Sequence, residues 1–188
     1  MSDEIVNFIR QRASHADLSL PAPSQEEWLK VLDAASRAPD HGNLKPWRFR
    51  VYQGEGRRKI GELYWQHALA EVPGLSEEKK EAFIKKAYRA PSILLVYANV
   101  KSHPKVPDFE QVMATSAATQ LALLGLESLG YGGIWRTGPA CFTSQAKELL
   151  SLAEEDRLIG LIYAGTPNSA NREVKDTQVE NHIEWVTD

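Results

Sequence analysis

A single cysteine, Cys141, is all that the 188 residues carry, which excludes an intrachain disulfide and any zinc cluster built on thiolates. With no histidine near it in sequence, Cys141 reads as a small apolar side chain rather than a nucleophile. Long apolar runs are also missing. No stretch approaches the length that spans a bilayer, and the opening Met1-Ser2-Asp3-Glu4 has no basic region followed by an apolar core. The expectation is therefore a cytoplasmic chain without membrane contact. Positive charge is not in excess: the formal net charge is −3 and no block of like charge occurs, which argues against nucleic acid as a partner. His15, His41, His67, His103 and His182 are scattered without the i, i+4 spacing of a helical metal pair, so no metal site is expected. Nor is there a Gly-x-Gly-x-x-Gly or a phosphate-loop lysine. Gly130-Tyr131-Gly132-Gly133 follows a helix-like segment rather than a strand, and a Rossmann or nucleoside-triphosphate site has no support.

What is present fits one globular domain over residues 1–188, with 43% hydrophobic and 25% charged residues. Ile5, Phe8 and Ile9 repeat at helical spacing and predict a short amphipathic helix over residues 3–11. Ser24 followed by Glu27 is a capping box that starts a second helix, ended by Pro39. Trp47 to Gln53 alternates as a strand, and Gly54-Glu55-Gly56 turns it into a charged helix from Arg57 to about Ala70. A largely solvated helical stretch is expected over residues 76–89. Pro91 to Val100 contains the unbroken apolar run of a strand covered on both faces, which places it inside a sheet. From about Phe109 to Leu129 small and apolar side chains lie on more than one face, predicting a central buried helix. Strands follow at Ile134-Trp135 and over residues 157–164, with a short helix near residues 144–152 between them. A polar tail, residues 168–188, ends in Ile183, Trp185 and Val186, a cluster that must dock on its own sheet or on a second subunit.

Three donor-rich segments each follow a helix end: Arg12-Ala13-Ser14, then Arg37 with His41, then Trp135-Arg136-Thr137. Arginine forks and hydroxyls at such junctions suit a phosphate or a polyhydroxylated chain, and an aromatic beside glycine suits a flat ring. Together they indicate a phosphorylated cofactor with an aromatic head. Plainer roles account for each alone: arginines meet helix dipoles, Ser14 stops a helix, and Trp135 sits in a core. The loop from Arg37 to Phe49 likewise reads as a ligand loop or as a surface connection closed by Trp47 and Phe49. Asp40 and Glu110 have the chemistry of a general acid or base, but solvation or capping explains both.

Arg37-Ala38-Pro39-Asp40-His41, Pro46-Trp47-Arg48-Phe49, the Arg-x-Ser at Arg12–Ser14 and Gly132-Gly133-Ile134-Trp135-Arg136-Thr137-Gly138 resemble, in order, the motifs of the flavin-dependent nitroreductase family. The short bacterial YdjA-like members are most alike. The resemblance implies an α+β fold, a three-layer sandwich with a central, mostly antiparallel sheet flanked by helices, assembled as an intertwined homodimer with FMN at the subunit interface. Carried over by position, Arg12, Ala13 and Ser14 hold the flavin's phosphate and ribityl end. Arg37 and His41 reach FMN from the opposite subunit, and Trp135, Arg136 and Thr137 lie on the flavin. The stretch Gly125, Leu126, Glu127, Ser128, Leu129, Gly130 corresponds to one proposed for the nicotinamide nucleotide.

Ala13 stands where the family often has a second arginine, so only its backbone is available, and Ala16 and Asp17 occupy a region where another arginine is common. Lys45 precedes Pro46 where glutamine is frequent, and a cation near the ring favours reduced, anionic flavin. The implied chemistry is a ping-pong exchange. NADH or NADPH reduces FMN and leaves, and a small aromatic acceptor, nitroaromatic or quinone, takes its place. No side chain is assigned as general acid or nucleophile. Dehalogenation, dehydrogenation, flavin fragmentation or flavin binding without turnover are the alternatives, since fold does not fix substrate.

Overall fold

The computed structural model describes residues 2–169 and 177–187. In chain order the elements are α1 (Ser2–Gln11), β1 (Leu18–Ser19), α2 (Gln25–Ala35), β2 (Trp47–Gln53), α3 (Arg58–Glu71), α4 (Lys80–Ile84), β3 (Ser92–Ala98), α5 (Asp108–Ser128), β4 (Gly132–Arg136), α6 (Ser144–Leu149) and β5 (Arg157–Pro167). One five-stranded sheet runs β1-β5-β3-β2, with β4 also on β5, and every strand pair is antiparallel.

All seven residues of β3 are buried, so alternation along the strand feeds two separate cores. Ile93, Leu95 and Tyr97, with Leu161 and Tyr163 of β5, meet Ile60 and Leu63 of α3 and Ala146 of α6. Leu94, Val96 and Ala98, with Ile162 and Ala164, meet Trp28, Val31 and Ala35 of α2 and Ala122, Leu123 and Leu126 of α5. Helices on both faces of one sheet make three layers.

The expected capping box at Ser24 and Glu27 is formed, and β2 has the bounds that its alternation predicts. Three features differ from the sequence reading. Residues 76–89 are not one solvated helix: α4 is a five-residue piece between two 3-10 turns, and Ile84 and Ala87 are buried. α5 buries one stripe rather than several faces, through Gln111, Ala114, Thr115, Ala118, Thr119, Ala122, Leu123 and Leu126. Its other side leaves Phe109 and Met113 at 62% and 63% exposure. Thr115 and Thr119 fit in the buried stripe because their hydroxyls donate to Gln111 and Thr115 carbonyls, each at 2.8 Å. The two-residue β1, too short to leave a sequence pattern, is held on the end of β5 by Leu18 opposite Pro167. In the tail, Ile183, Trp185 and Val186 are exposed, Trp185 at 84%, while residues 170–176 lie outside the described residues.

Close approach of α3 to α4 requires Gly61, where an added Cβ would stand 2.7 Å from the Ile84 Cα. Gly61→Ala is expected to destabilise by about 1–2 kcal/mol, overpacking outweighing the gain in helix propensity. Gly56→Ala, which meets nothing within 4 Å, is expected to change stability by less than about 1 kcal/mol. Urea midpoints of the two variants check this.

Candidate functional site

The loop after α2 is held by its own polar groups. Asp40 Oδ2 accepts from the Lys45 amide at 2.6 Å, and the Asn43 amide donates to the Asp40 carbonyl at 3.2 Å. Gly42, Asn43 and Lys45 all have positive φ, a path that only tight turn chemistry supports. His41 Nδ1 lies 2.6 Å from Glu110 Oε2 on the first turn of α5, and Lys101 Nζ donates to the Leu44 carbonyl at 3.0 Å. Asp40 and Glu110 are thus engaged in holding the loop. Beside it, Arg37, Asp33, Asp40, Lys45 and Trp47 line a cleft of about 580 Å³. Lys45 faces this cleft.

β4 sends neighbouring side chains to opposite faces. Trp135 packs with the α2 and α5 core and its Nε1 donates to the Ile159 carbonyl at 3.3 Å. That contact needs a bulge: Val96 pairs with Gly160 and Tyr97 with Leu158, leaving Ile159 as the extra residue. A Cβ on Gly160 would lie 2.4 Å from the indole nitrogen. Arg136 leaves on the other face, where its guanidinium carbon stands 5.4 Å from the centre of the Tyr163 ring.

Arg136 lines a second cleft, of about 490 Å³, with Tyr64, Lys86, Arg89, Thr137 and Tyr163. This cleft is built of donors. It contains no carboxylate, and no ion pair among the described residues joins Lys86, Arg89 or Arg136 to one. Arg136 Nε is buried with no hydrogen-bond partner, a state that costs energy unless a ligand supplies an acceptor. The Tyr64 and Tyr163 hydroxyls are 2.8 Å apart. Burial above all pushes both pKa values up, against the pull of Arg136 and Arg89. Both phenols stay neutral, and because only one proton is used between them, one O–H remains to donate.

Arg12, Ala13 and Ser14 lie between the end of α1 and the start of β4. The Ala13 amide donates to Glu127 Oε1 at 3.0 Å, Ser14 bridges to Gly133, and the His15 amide donates to the Gly133 carbonyl at 3.1 Å. Gly125 to Gly130 form the last turn of α5 and its exit. The structure therefore places the first segment beside the strand that carries Trp135 and Arg136 and is followed by Thr137, and leaves Arg37 and His41 elsewhere. The clefts of Arg37 and Arg136 share no lining residue. Sequence reading missed Tyr64, Lys86, Arg89 and Tyr163. The one available signal was Tyr163, a hydroxyl inside the otherwise apolar β5 run.

A family model described as "Nitroreductase family" matches residues 9–166. "Putative NAD(P)H nitroreductase YdjA" of Escherichia coli K12 is 33% identical over 164 residues, covering 87% of this chain and 88% of that protein. Among solved structures, a nitroreductase-like family protein from Bacillus cereus superposes with a TM-score of 0.82 at 22% identity, covering 97% of this chain and 95% of that one. The FMN and NADPH-dependent nitroreductase NfnB from sphigopyxis sp. strain HMH does so with a TM-score of 0.72 at 16% identity, covering 97% and 98%. These two similarities establish a nitroreductase-like fold.

Cys141 is buried and its thiol is pushed up to about 11 by that burial. At pH 8 about one thiol in a thousand is ionised. A thiol reagent added to native protein is expected to react at a rate at least about 100-fold below that measured in denaturant, followed by absorbance of the released chromophore.

Proposed function

The chain belongs to the nitroreductase family, and from that premise we propose that it is an FMN-dependent oxidoreductase passing electrons from NADH or NADPH to a nitroaromatic or quinone-type acceptor. The observation that carries this reading is the cleft at the end of β4, where Lys86, Arg89 and Arg136 gather without a carboxylate and one guanidinium nitrogen is buried unpaired. Such a donor set fits the electron-rich edge of an isoalloxazine ring. The names of the E. coli relative and of NfnB agree with it, one citing NAD(P)H and the other FMN and NADPH.

When bound, FMN supplies hydride uptake from the nicotinamide and electron delivery to the acceptor, each ligand using the same place in turn. The protein's part is electrostatic and positional. Lys86, Arg89 and Arg136 lower the energy of negative charge that gathers in the cleft. The neutral Tyr64–Tyr163 pair adds a hydroxyl donor, and Trp135, fixed by the Ile159 carbonyl, sets the strand end from which Thr137 projects. Arg12 and Ser14, whose side chains make no hydrogen bond among the described residues, are free to take the phosphate end.

A homodimer completes this site. Arg37 lines a cleft of its own and His41 stands on the adjoining turn against Glu110, both away from the Arg136 cleft, so they serve the flavin of the partner subunit. Apolar side chains suited to that contact stand exposed: Ile5, Val6 and Ile9 on α1, Phe109 and Met113 on α5, and Trp185 in the tail.

Protein loaded with FMN is expected to lose its yellow absorbance when NADH or NADPH is added without oxygen, and to regain it on addition of a nitroaromatic or quinone. No bleaching with either nucleotide overturns the reading. Arg136→Met is expected to lower kcat/KM for the nucleotide by about 10–100-fold in steady-state assays with the variant kept saturated with flavin.

A further inference from the structure

We propose that Glu127 is a positioning residue for flavin binding, and that residues Gly125 to Gly130 are not a nicotinamide-nucleotide site. The proposal rests on the flavin reading above. Glu127 stands on the last turn of α5 and its Oε1 takes the Ala13 amide proton at 3.0 Å. An ionised carboxylate on a backbone N–H is among the stronger neutral-donor hydrogen bonds. No lysine or arginine of the described residues pairs with Glu127. Ala13 has no polar side-chain atom, so with its amide given to Glu127 the side-chain donors that the segment offers a phosphate are the Arg12 guanidinium and the Ser14 hydroxyl. What directs those two groups is the pinning of Ala13 between them, together with the Ser14 bridge and the His15 amide bond to Gly133.

The same residues are poorly made for a dinucleotide. All members of the stretch but Leu129 have another task. Gly125 lets α5 approach α2, an added Cβ lying 3.3 Å from Val31. Leu126 is buried in the core between those helices, and the Ser128 hydroxyl donates to the Gly125 carbonyl at 2.8 Å. Gly130, at φ +83°, ends the helix, and its amide and that of Tyr131 are used on the Glu127 and Leu126 carbonyls.

The test compares wild type, Glu127→Ala and Glu127→Gln by three measurements: exchange of the Ala13 amide hydrogen in flavin-free protein, FMN affinity by fluorescence quenching, and KM for NADH and NADPH at saturating FMN. In Glu127→Ala, Ala13 exchange is expected to rise at least about 10-fold and the FMN Kd about 10-fold, with KM within about twofold of wild type. Glu127→Gln keeps an acceptor oxygen and is expected to restore FMN affinity to within about threefold. Faster Ala13 exchange with unchanged FMN affinity overturns the proposal. So does a raised KM with FMN affinity intact, which would return Glu127 to the nicotinamide nucleotide. Wild type that binds no FMN overturns the flavin reading itself, and the proposal with it, whereas the first two failures leave that reading standing.

Discussion

Everything in this chain is referred to the pairing of β3 with β5, two strands buried on both faces. Because side chains alternate with a period of two, that pairing decides which residue of every neighbouring strand faces which helical layer. β4 takes its register from β5, with Ile134 opposite Tyr163 and Arg136 opposite Leu161. Arg136 is thereby sent toward Tyr64 and Tyr163, and Trp135 toward α2 and α5. A one-residue slip would exchange them, placing a guanidinium in an apolar core and an indole in the donor cleft. The bulge at Ile159 and Gly160 guards against such a slip, since the Trp135 indole fits only against a residue without a Cβ and bonds to the carbonyl just before it.

The donor cleft illustrates how little net charge says about a site. The chain is acidic, at −3, yet Lys86, Arg89 and Arg136 face one cleft without a carboxylate. The acidic side chains are spent elsewhere, several on solvent-facing pairs such as Glu26 with Lys30 and Glu81 with Arg58. Exposed pairs of that kind contribute little to stability. Sorting the carboxylates away from the cleft leaves its cations unneutralised, which is a requirement for holding negative charge there.

Local signals in the sequence located what local physics determines. The Ser24 capping box, the strand from Trp47 to Gln53 and the doubly covered strand inside residues 91–100 follow from caps, alternation and apolar runs. α5 was harder, because small residues such as Ala117 look buried on any face, and only packing against α2 and the sheet selects the stripe through Ala114, Ala118 and Ala122. The candidate site was legible where donors cluster in sequence, at Arg12–Ser14 and Trp135–Thr137. Tyr64, Lys86 and Arg89 were not, since they come to Arg136 only through the packing of α3 and the turn before β3 against the sheet, a contact between distant parts of the chain.

α5 links the two loops that sequence and structure single out. At its first turn Glu110 holds His41, and at its last turn Glu127 holds Ala13. At ~1.5 Å per residue these anchors are about 25 Å apart along the axis. One rigid helix therefore fixes both loops while keeping them apart within a single chain. In the proposed site a second copy would bring the loop of Arg37 and His41 to the flavin, and the exposed Phe109 and Met113 near Glu110 would give such a copy an apolar surface to cover. α5 thus serves both as the wall of one core and as the spacer between the two loops, and under the proposed function that spacing would make a second chain necessary to complete the site.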